Sequence, residues 1–213
     1  MFLIKYIAYF YLPGLLSGDT VLYNIIEELP MGDIKNPAPV KYFCGVISAS
    51  QDAIPFVRSA LIKILGETDI EAGPFRWDHT SYYAAEMGEG LTKYFFSFKQ
   101  LLSPSELSIV KIKSNHIEDE AAEMFPIAVR PVNLDPGYIT PSSMILASTK
   151  NYSHRIYIGG GIYAQVDYLF REKGRIEFNP WVYPDYKTTE YLEFFLEMRK
   201  KLLIELKQDK KGV

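Results

Sequence analysis

Between Arg76 and Tyr83 the chain reads R-W-D-H-T-S-Y-Y, which puts a guanidinium, a carboxylate, an imidazole, two small hydroxyls and two phenols into eight residues. An imidazole changes charge near neutral pH and works as a general acid or base, and a guanidinium clamps anions. Arg76, Asp78, His79, Thr80 and Tyr82 are therefore candidates for anion binding and proton transfer. A purely local reading competes with this one. Asp78 or Thr80 would then cap a short helix running through Tyr82 to Met87 and leave His79 exposed.

A second group lies between Arg130 and Gln165. Asn133 and Asp135 flank Leu134, so in an extended strand their side chains point the same way. Asp135-Pro136-Gly137 also matches a type II turn, with Tyr138 just beyond it. Lys150, His154 and Arg155 follow with positive charge. On a strand from His154 to Ile158, His154 and Arg155 face opposite sides, so they share a pocket only at the strand end. The candidate catalytic set is Asp78, His79, Asp135 and His154. Either His would exchange the proton, with Asp135 as its partner or as a metal ligand. The candidate ligand-binding set is Arg76, Thr80, Tyr82, Asn133, Tyr138, Lys150 and Arg155, with Lys150 and Arg155 as the anion clamp. Further on, Tyr163, Gln165 and Asp167 alternate with apolar residues, which makes a polar face that is either solvated or the floor of a cleft.

Stronger signatures are missing. The sequence has no G-x-x-x-x-G-K-[ST], no G-x-G-x-x-G opening a helix, no H-E-x-x-H, no paired C-x-x-C and no G-x-S-x-G. Gly159-Gly160-Gly161 sits between two strand patterns and reads as a hairpin turn, since a phosphate cradle needs a following helix N-terminus. His116 and Glu120 are one helical turn apart, but with three histidines in the chain a charged helix surface is the simpler reading, and no metal site is assigned. The single cysteine, Cys44, lies in an apolar run and reads as a buried, inert thiol in a reducing compartment.

The elements that must position these residues follow from patterning. Val40–Ser48 is a continuous apolar run of strand length, so it reads as a central strand. A helix follows, capped by Asp52, with Pro55 in its first turn and Gly66 past its end. Glu71–Tyr83 holds too many breakers for a long element. Lys93–Leu101 is a second strand. Ser103-Pro104-Ser105-Glu106 is a capping box that opens a helix with Leu107, Val110, Ile117, Ala121 and Met124 buried and Ser114 in the gap. Thr140-Pro141-Ser142-Ser143 starts another helix, ending near Lys150-Asn151. His154–Ile158, Ile162–Phe170 and Arg175–Phe178 form a three-strand meander. An aromatic loop around Trp181 leads to a last helix begun by Thr188, on which Tyr191, Phe195, Met198 and Leu202 share a face. The expected fold is α+β: a single mixed or antiparallel sheet with a C-terminal three-strand meander, packed by about four helices.

Residues 39–207 read as one domain, followed by a charged tail at 208–213. Residues 1–38 read as an extension, apolar and aromatic at first but broken by Pro13-Gly14, too short for a membrane span of about 20 residues. Met31 reads as the true start. There is no internal repeat and no low-complexity block. The formal charge of −3 argues against a duplex-binding protein, which needs a basic face. No membrane partner is expected. Cofactor and oligomeric state are left open.

Four separated segments carry a resemblance: Phe75–Tyr83 with Glu86-Met87-Gly88, Val132–Tyr138, Lys150–Tyr157 and Trp181–Tyr186. Together they resemble a bacterial domain-of-unknown-function family, number 4416, over about Pro39 to Lys200. The resemblance implies a prokaryotic, cytoplasmic protein whose family domain begins close to Met31. Some members carry an automatic label of GTP-binding protein, while this sequence has no P-loop. No catalytic residues come with the family. The expected function is binding of, or action on, an anionic small molecule, phosphorylated or nucleotide-like. The alternative is a non-catalytic module that holds a protein or single-stranded RNA on exposed aromatics.

Overall fold

Val40–Ser48 (β1) is buried at all nine positions and runs through the interior of the sheet, as its unbroken apolar run predicts. The computed structural model describes residues 34–77 and 84–209, and the fold is that of the unit from Pro37 onward. The N-terminal segment before Ile34, with its proposed start at Met31, and the end of the tail lie outside the described residues.

Among the described residues, eight strands form one antiparallel sheet. The others are Thr68–Arg76 (β2), Thr92–Leu102 (β3), Val132–Ile139 (β4), Ser143–Ser148 (β5), Ile156–Gly159 (β6), Ile162–Phe170 (β7) and Ile176–Phe178 (β8). The order is β2-β3-β1-β4-β5-β7-β6, with β8 also paired to β7. Three long helices cover it: Ala53–Leu65 (α1), Leu107–Met124 (α3) and Thr189–Asp209 (α4), with a single turn at Ala84–Met87 (α2) between the first two. This is an α+β fold.

Strand alternation sorts β1 onto two cores. Tyr42, Cys44 and Val46 pack with Val57, Leu61, Val110 and Ile117 of α1 and α3. Phe43 points the other way, into an aromatic cluster with Phe95, Tyr191, Phe194 and Phe195 under α4. Burying each such ring is worth about 1.5–3 kcal/mol, so burial contributes strongly to holding α4 on its face of the sheet. The periodic helices match their patterns, and Tyr191, Phe195, Met198 and Leu202 are buried together. At the helix starts, Ser103 Oγ accepts from the Ser105 amide and opens a 3-10 turn, Pro104–Glu106, ahead of α3, in place of the expected reciprocal capping box with Glu106, and Asp52 makes no side-chain cap bond. On α3, Met124 falls outside the buried stripe and is exposed.

Three expectations are corrected. The segment after Thr140 is not a helix but strand β5, buried at its four central positions. Its start signal is real but closes a turn: Thr140 Oγ1 accepts from the amides of Ser142 and Ser143, and the Thr140 amide returns to the Ser143 carbonyl. Asp135-Pro136-Gly137 is not a turn and runs straight through β4. The breaker-rich segment from Glu71 is largely strand: β2 lies at the edge of the sheet, where a register irregularity between Ala72 and Phe75 accommodates Gly73-Pro74.

The C-terminal strands also differ from a meander. Because β5 pairs with β7 from Tyr163 to Leu169, β6 and β8 both lie on the opposite edge of β7, one after the other. The Gly159–Gly161 reversal joins β6 to β7 as a hairpin, with all three glycines at positive φ. Opposite Met144 and Ile145, β7 carries an irregularity that leaves Asp167 as the extra residue. It swaps the faces of β7: Ala164 and Val166 pack toward α3, whereas Tyr168 and Phe170 join the core under α4.

Candidate functional site

β4 pairs with β1 along its whole length, from Val132 to Ile139. Its pairing with β5 covers only Gly137–Ile139. From Val132 to Pro136 the two strands diverge and the sheet is split. The last shared point is Gly137, where an added Cβ would collide with the Ile145 carbonyl oxygen and lie 2.7 Å from Phe43. Glycine is required there by close approach of the next strand, not by a turn.

An open strand edge leaves backbone groups to be satisfied. Pro136 has no N–H to leave unpaired. The Leu134 amide donates to Glu118 Oε1 at 2.8 Å, and Lys111 Nζ donates to the Leu134 carbonyl at 2.7 Å. Two side chains of α3 thus occupy the place of a neighbouring strand, and they lie 3.6 Å from each other. Burial raises Glu118 above the usual carboxylate range, against the lowering pull of Lys111.

The split opens into a cleft of about 430 Å³ that meets both faces of the sheet: α3 contributes Lys111 and Glu118 from one side, and Tyr183 and Tyr186 close it from the other. Asn133 and Asp135 line it together, and Asn133 Nδ2 donates to Asp135 Oδ2 at 2.9 Å. The shared direction read from their spacing is what the strand delivers.

The wall carrying Tyr183 and Tyr186 is a 3-10 turn, Pro184–Lys187, held by its buried Asp185. Asp185 Oδ2 accepts from Lys93 Nζ at 3.0 Å and from Trp77 Nε1 at 3.1 Å. The Lys93 ammonium also sits 4.1 Å from the centre of the Tyr186 ring. Across from Asp135 on β1 is Gly45, where a Cβ would come within 3.2 Å of the Tyr186 hydroxyl. That hydroxyl is buried, has no hydrogen-bond partner among the described residues, and is pushed well up by burial and then by Asp135 and Asp185.

Arg155 forms the opposite rim. Its Nε donates to Gln165 Oε1 at 2.6 Å, and its Nη1 donates to Ser148 Oγ at 2.6 Å and to the Lys150 carbonyl at 2.9 Å. All three acceptors are neutral, and no carboxylate among the described residues forms an ion pair with it. Nη2 has no hydrogen-bond partner among the described residues. Gln165 Nε2 in turn donates to Asp167 Oδ1 at 2.7 Å. Asp167 is fully buried behind Gln165, with Oδ2 unpartnered among the described residues. Burial first, then the charges of Asp135 and Asp185, push its carboxyl up to about 7, against the pull of Gln165 and Arg155.

Of the residues singled out from sequence, Asn133, Asp135, Lys150 and Arg155 line one cleft. Three others are placed elsewhere. His154 is stacked on Trp181 at 4.7 Å and 11° and contacts Tyr152 at 5.9 Å, which removes it from the lining. Tyr138 points to the α1–α3 side and packs on Tyr42 at 5.6 Å, because it alternates with Gly137 along β4. Arg76 is exposed at the end of edge strand β2 and does not line the cleft. Asp78, His79, Thr80 and Tyr82 lie outside the described residues. The polar face of β7 is not a solvated surface, since Gln165 and Asp167 are buried.

Sequence reasoning missed Lys111, Glu118, Ser148, Tyr183 and Tyr186. A signal existed for the first two, which recur at helical spacing beside the buried stripe of α3 and interrupt it with charge. Ser148 was hidden inside the supposed helix. Cys44 is a buried thiol raised well above its ordinary value by burial, which suits an inert role. Among the described residues no three or more His, Cys, Asp or Glu gather to hold a metal, and no helix is long and apolar enough to cross a membrane.

The chain belongs to a protein family described as Domain of unknown function (DUF4416), which matches residues 38–202 and so spans every strand and helix lining the cleft. No curated protein and no solved structure matches it.

Proposed function

We propose that the β4–β5 cleft binds a small anionic molecule, phosphorylated or nucleotide-like, with Arg155 and Lys150 as the anion clamp. The observation that carries this reading is the state of Arg155. A half-buried guanidinium is costly without a counter-charge, yet this one is held by three neutral acceptors. They fix its plane while Nη2 stays available, and a pre-set guanidinium fork suits phosphate or carboxylate. Lys150 adds positive charge to the same lining, where Arg130 is paired with Glu86 at 3.2 Å.

A thermal-shift series with inorganic phosphate, sugar phosphates and nucleotides, with and without Mg²⁺, tests the reading. A ligand at about 100 times its Kd stabilises by roughly 2.7 kcal/mol, an upward shift of several degrees. Arg155→Ala should abolish that shift. No shift from any anion would reject the proposal.

A second reading, a non-catalytic interaction module using exposed aromatics, draws on Tyr152, Ile156 and Tyr157, which are exposed along and before β6 at the end of the sheet. The loop around Trp181 contributes less to such a surface, because Val182 and Tyr186 pack inward and Trp181 Nε1 is bonded to the Val166 carbonyl. Binding of single-stranded RNA or a protein that Tyr157→Ala weakens and Arg155→Ala leaves intact would favour this second reading.

A further inference from the structure

Resting on the anion-site reading above, we infer that the ligand is a sugar phosphate, its phosphoryl group on Arg155 and Lys150 and its hydroxyl groups against Asp135 and Tyr186. The anion end follows from the rim already described. The other end follows from what the deep wall leaves unsatisfied.

Tyr186 is 2% exposed, lines the cleft, and carries a hydroxyl with no partner among the described residues. A buried hydroxyl without a hydrogen bond is costly, so an orphan of this kind points to a group that completes it. Gly45 lets the phenol oxygen lie close against β1, since a Cβ there would come within 3.2 Å of both that oxygen and Phe95. Near it is Asp135, which spends Oδ2 on Asn133 and receives no other hydrogen bond from the described residues. A carboxylate only accepts, whereas a phenol also has a proton to give. A sugar hydroxyl answers both, donating to Asp135 and accepting from Tyr186. An ammonium would serve the carboxylate but has no lone pair for the phenol proton.

The walls argue against a buried nucleobase. Base recognition relies on stacking against a free aromatic face. The Tyr186 ring is already engaged by the Lys93 ammonium at 4.1 Å and by Phe195, stacked at 6.0 Å and 23°. Tyr183 lines the mouth and is half exposed, so it can cover a sugar ring from outside. The volume of about 430 Å³ is ample for a phosphorylated pentose or hexose.

Calorimetric titration of the full chain at low salt tests this with inorganic phosphate, ribose 5-phosphate, glucose 6-phosphate and AMP. At least one sugar phosphate should bind about tenfold or more tighter than inorganic phosphate. Tyr186→Phe and Asp135→Asn should each remove most of that advantage without weakening inorganic phosphate binding. Tyr186→Phe should melt no lower than the parent, because the hydroxyl it deletes has no hydrogen-bond partner among the described residues. Sugar phosphates that bind no tighter than inorganic phosphate, with both still lost in Arg155→Ala, would overturn the sugar assignment and leave the anion site standing. AMP binding more than about tenfold tighter than ribose 5-phosphate would overturn it in favour of base recognition. No binding by any of the four would reject the anion site and the sugar assignment together.

Discussion

Asp69 and Asp167 are both buried carboxylates in one sheet, and their surroundings drive them in opposite directions. Around Asp69 burial acts to raise the carboxyl, but hydrogen bonds from Lys41, Ser97 and Lys201 outweigh it and hold the group below its usual range. Lys41, itself fully buried, lies 2.8 Å from Asp69 and 3.2 Å from Glu205. Lys201 approaches Asp69 to 3.1 Å. The Asp69 carboxylate is thus closed by partners from β1, β3 and α4. Asp167 has one neutral donor, an empty oxygen, and other carboxylates nearby. Where burial serves only the fold, charge is paired. Beside the cleft, groups are left incomplete at a cost to stability, the pattern expected where a site is kept for something other than folding.

Breaking the closed network should have the largest effect. Lys41→Met keeps the volume but leaves buried Asp69 with only the half-exposed Lys201 among the cations. Removing one partner of a buried pair costs roughly 3–5 kcal/mol, readable from denaturant unfolding at pH 7. If the variant loses less than about 1 kcal/mol, the contrast between the two carboxylates dissolves.

Relieving the open one should do the reverse. Because the folded-state value of Asp167 is raised to about 7, the native protein binds a proton there that the unfolded chain has already released between about pH 4 and 7. Its contribution to stability therefore falls as pH rises through that window, and the cost is complete above it. Asp167→Asn should remove this slope and raise stability at pH 8 by roughly 2–4 kcal/mol, measured as melting temperature against pH. Asp69 has the opposite sign: its stabilisation is present above the unfolded value near about 4 and is lost as pH falls through the lowered folded one. A wild-type profile with both an acid limb and a decline toward neutral pH would sharpen the comparison.

A smaller effect is expected at the pinch of the split. Gly137→Ala forces a methyl against the Ile145 carbonyl and Phe43 and should destabilise by about 1–3 kcal/mol. A neutral result would mean that β4 and β5 are not held in contact there. The smallest change in stability should come from Arg155→Ala, within about 1 kcal/mol, because its three bonds go to neutral acceptors on the cleft rim. Its effect should appear in ligand binding instead, the mark of a residue placed for recognition.

From the sequence alone, the features that depend on near neighbours were legible. The apolar run of β1, the amphipathic stripes of α1 and α4, the Ser103 start signal and the glycine hairpin before β7 are set by contacts within a few residues. The common direction of Asn133 and Asp135 follows from strand geometry in the same way. What the tertiary structure alone decided involves partners far along the chain. The Thr140 signal is spent closing a turn, because the residues after it gain more by pairing with β7, some twenty residues on, than by forming an isolated helix. Gly137 answers to the backbone of β5 and not to its own φ. The cleft exists because β4 and β5 part company at that glycine, and its deep wall comes from Tyr186, more than forty residues beyond Asp135. Periodicity and turn chemistry are encoded locally, whereas the divergence of two strands is fixed only when the whole sheet has closed around them.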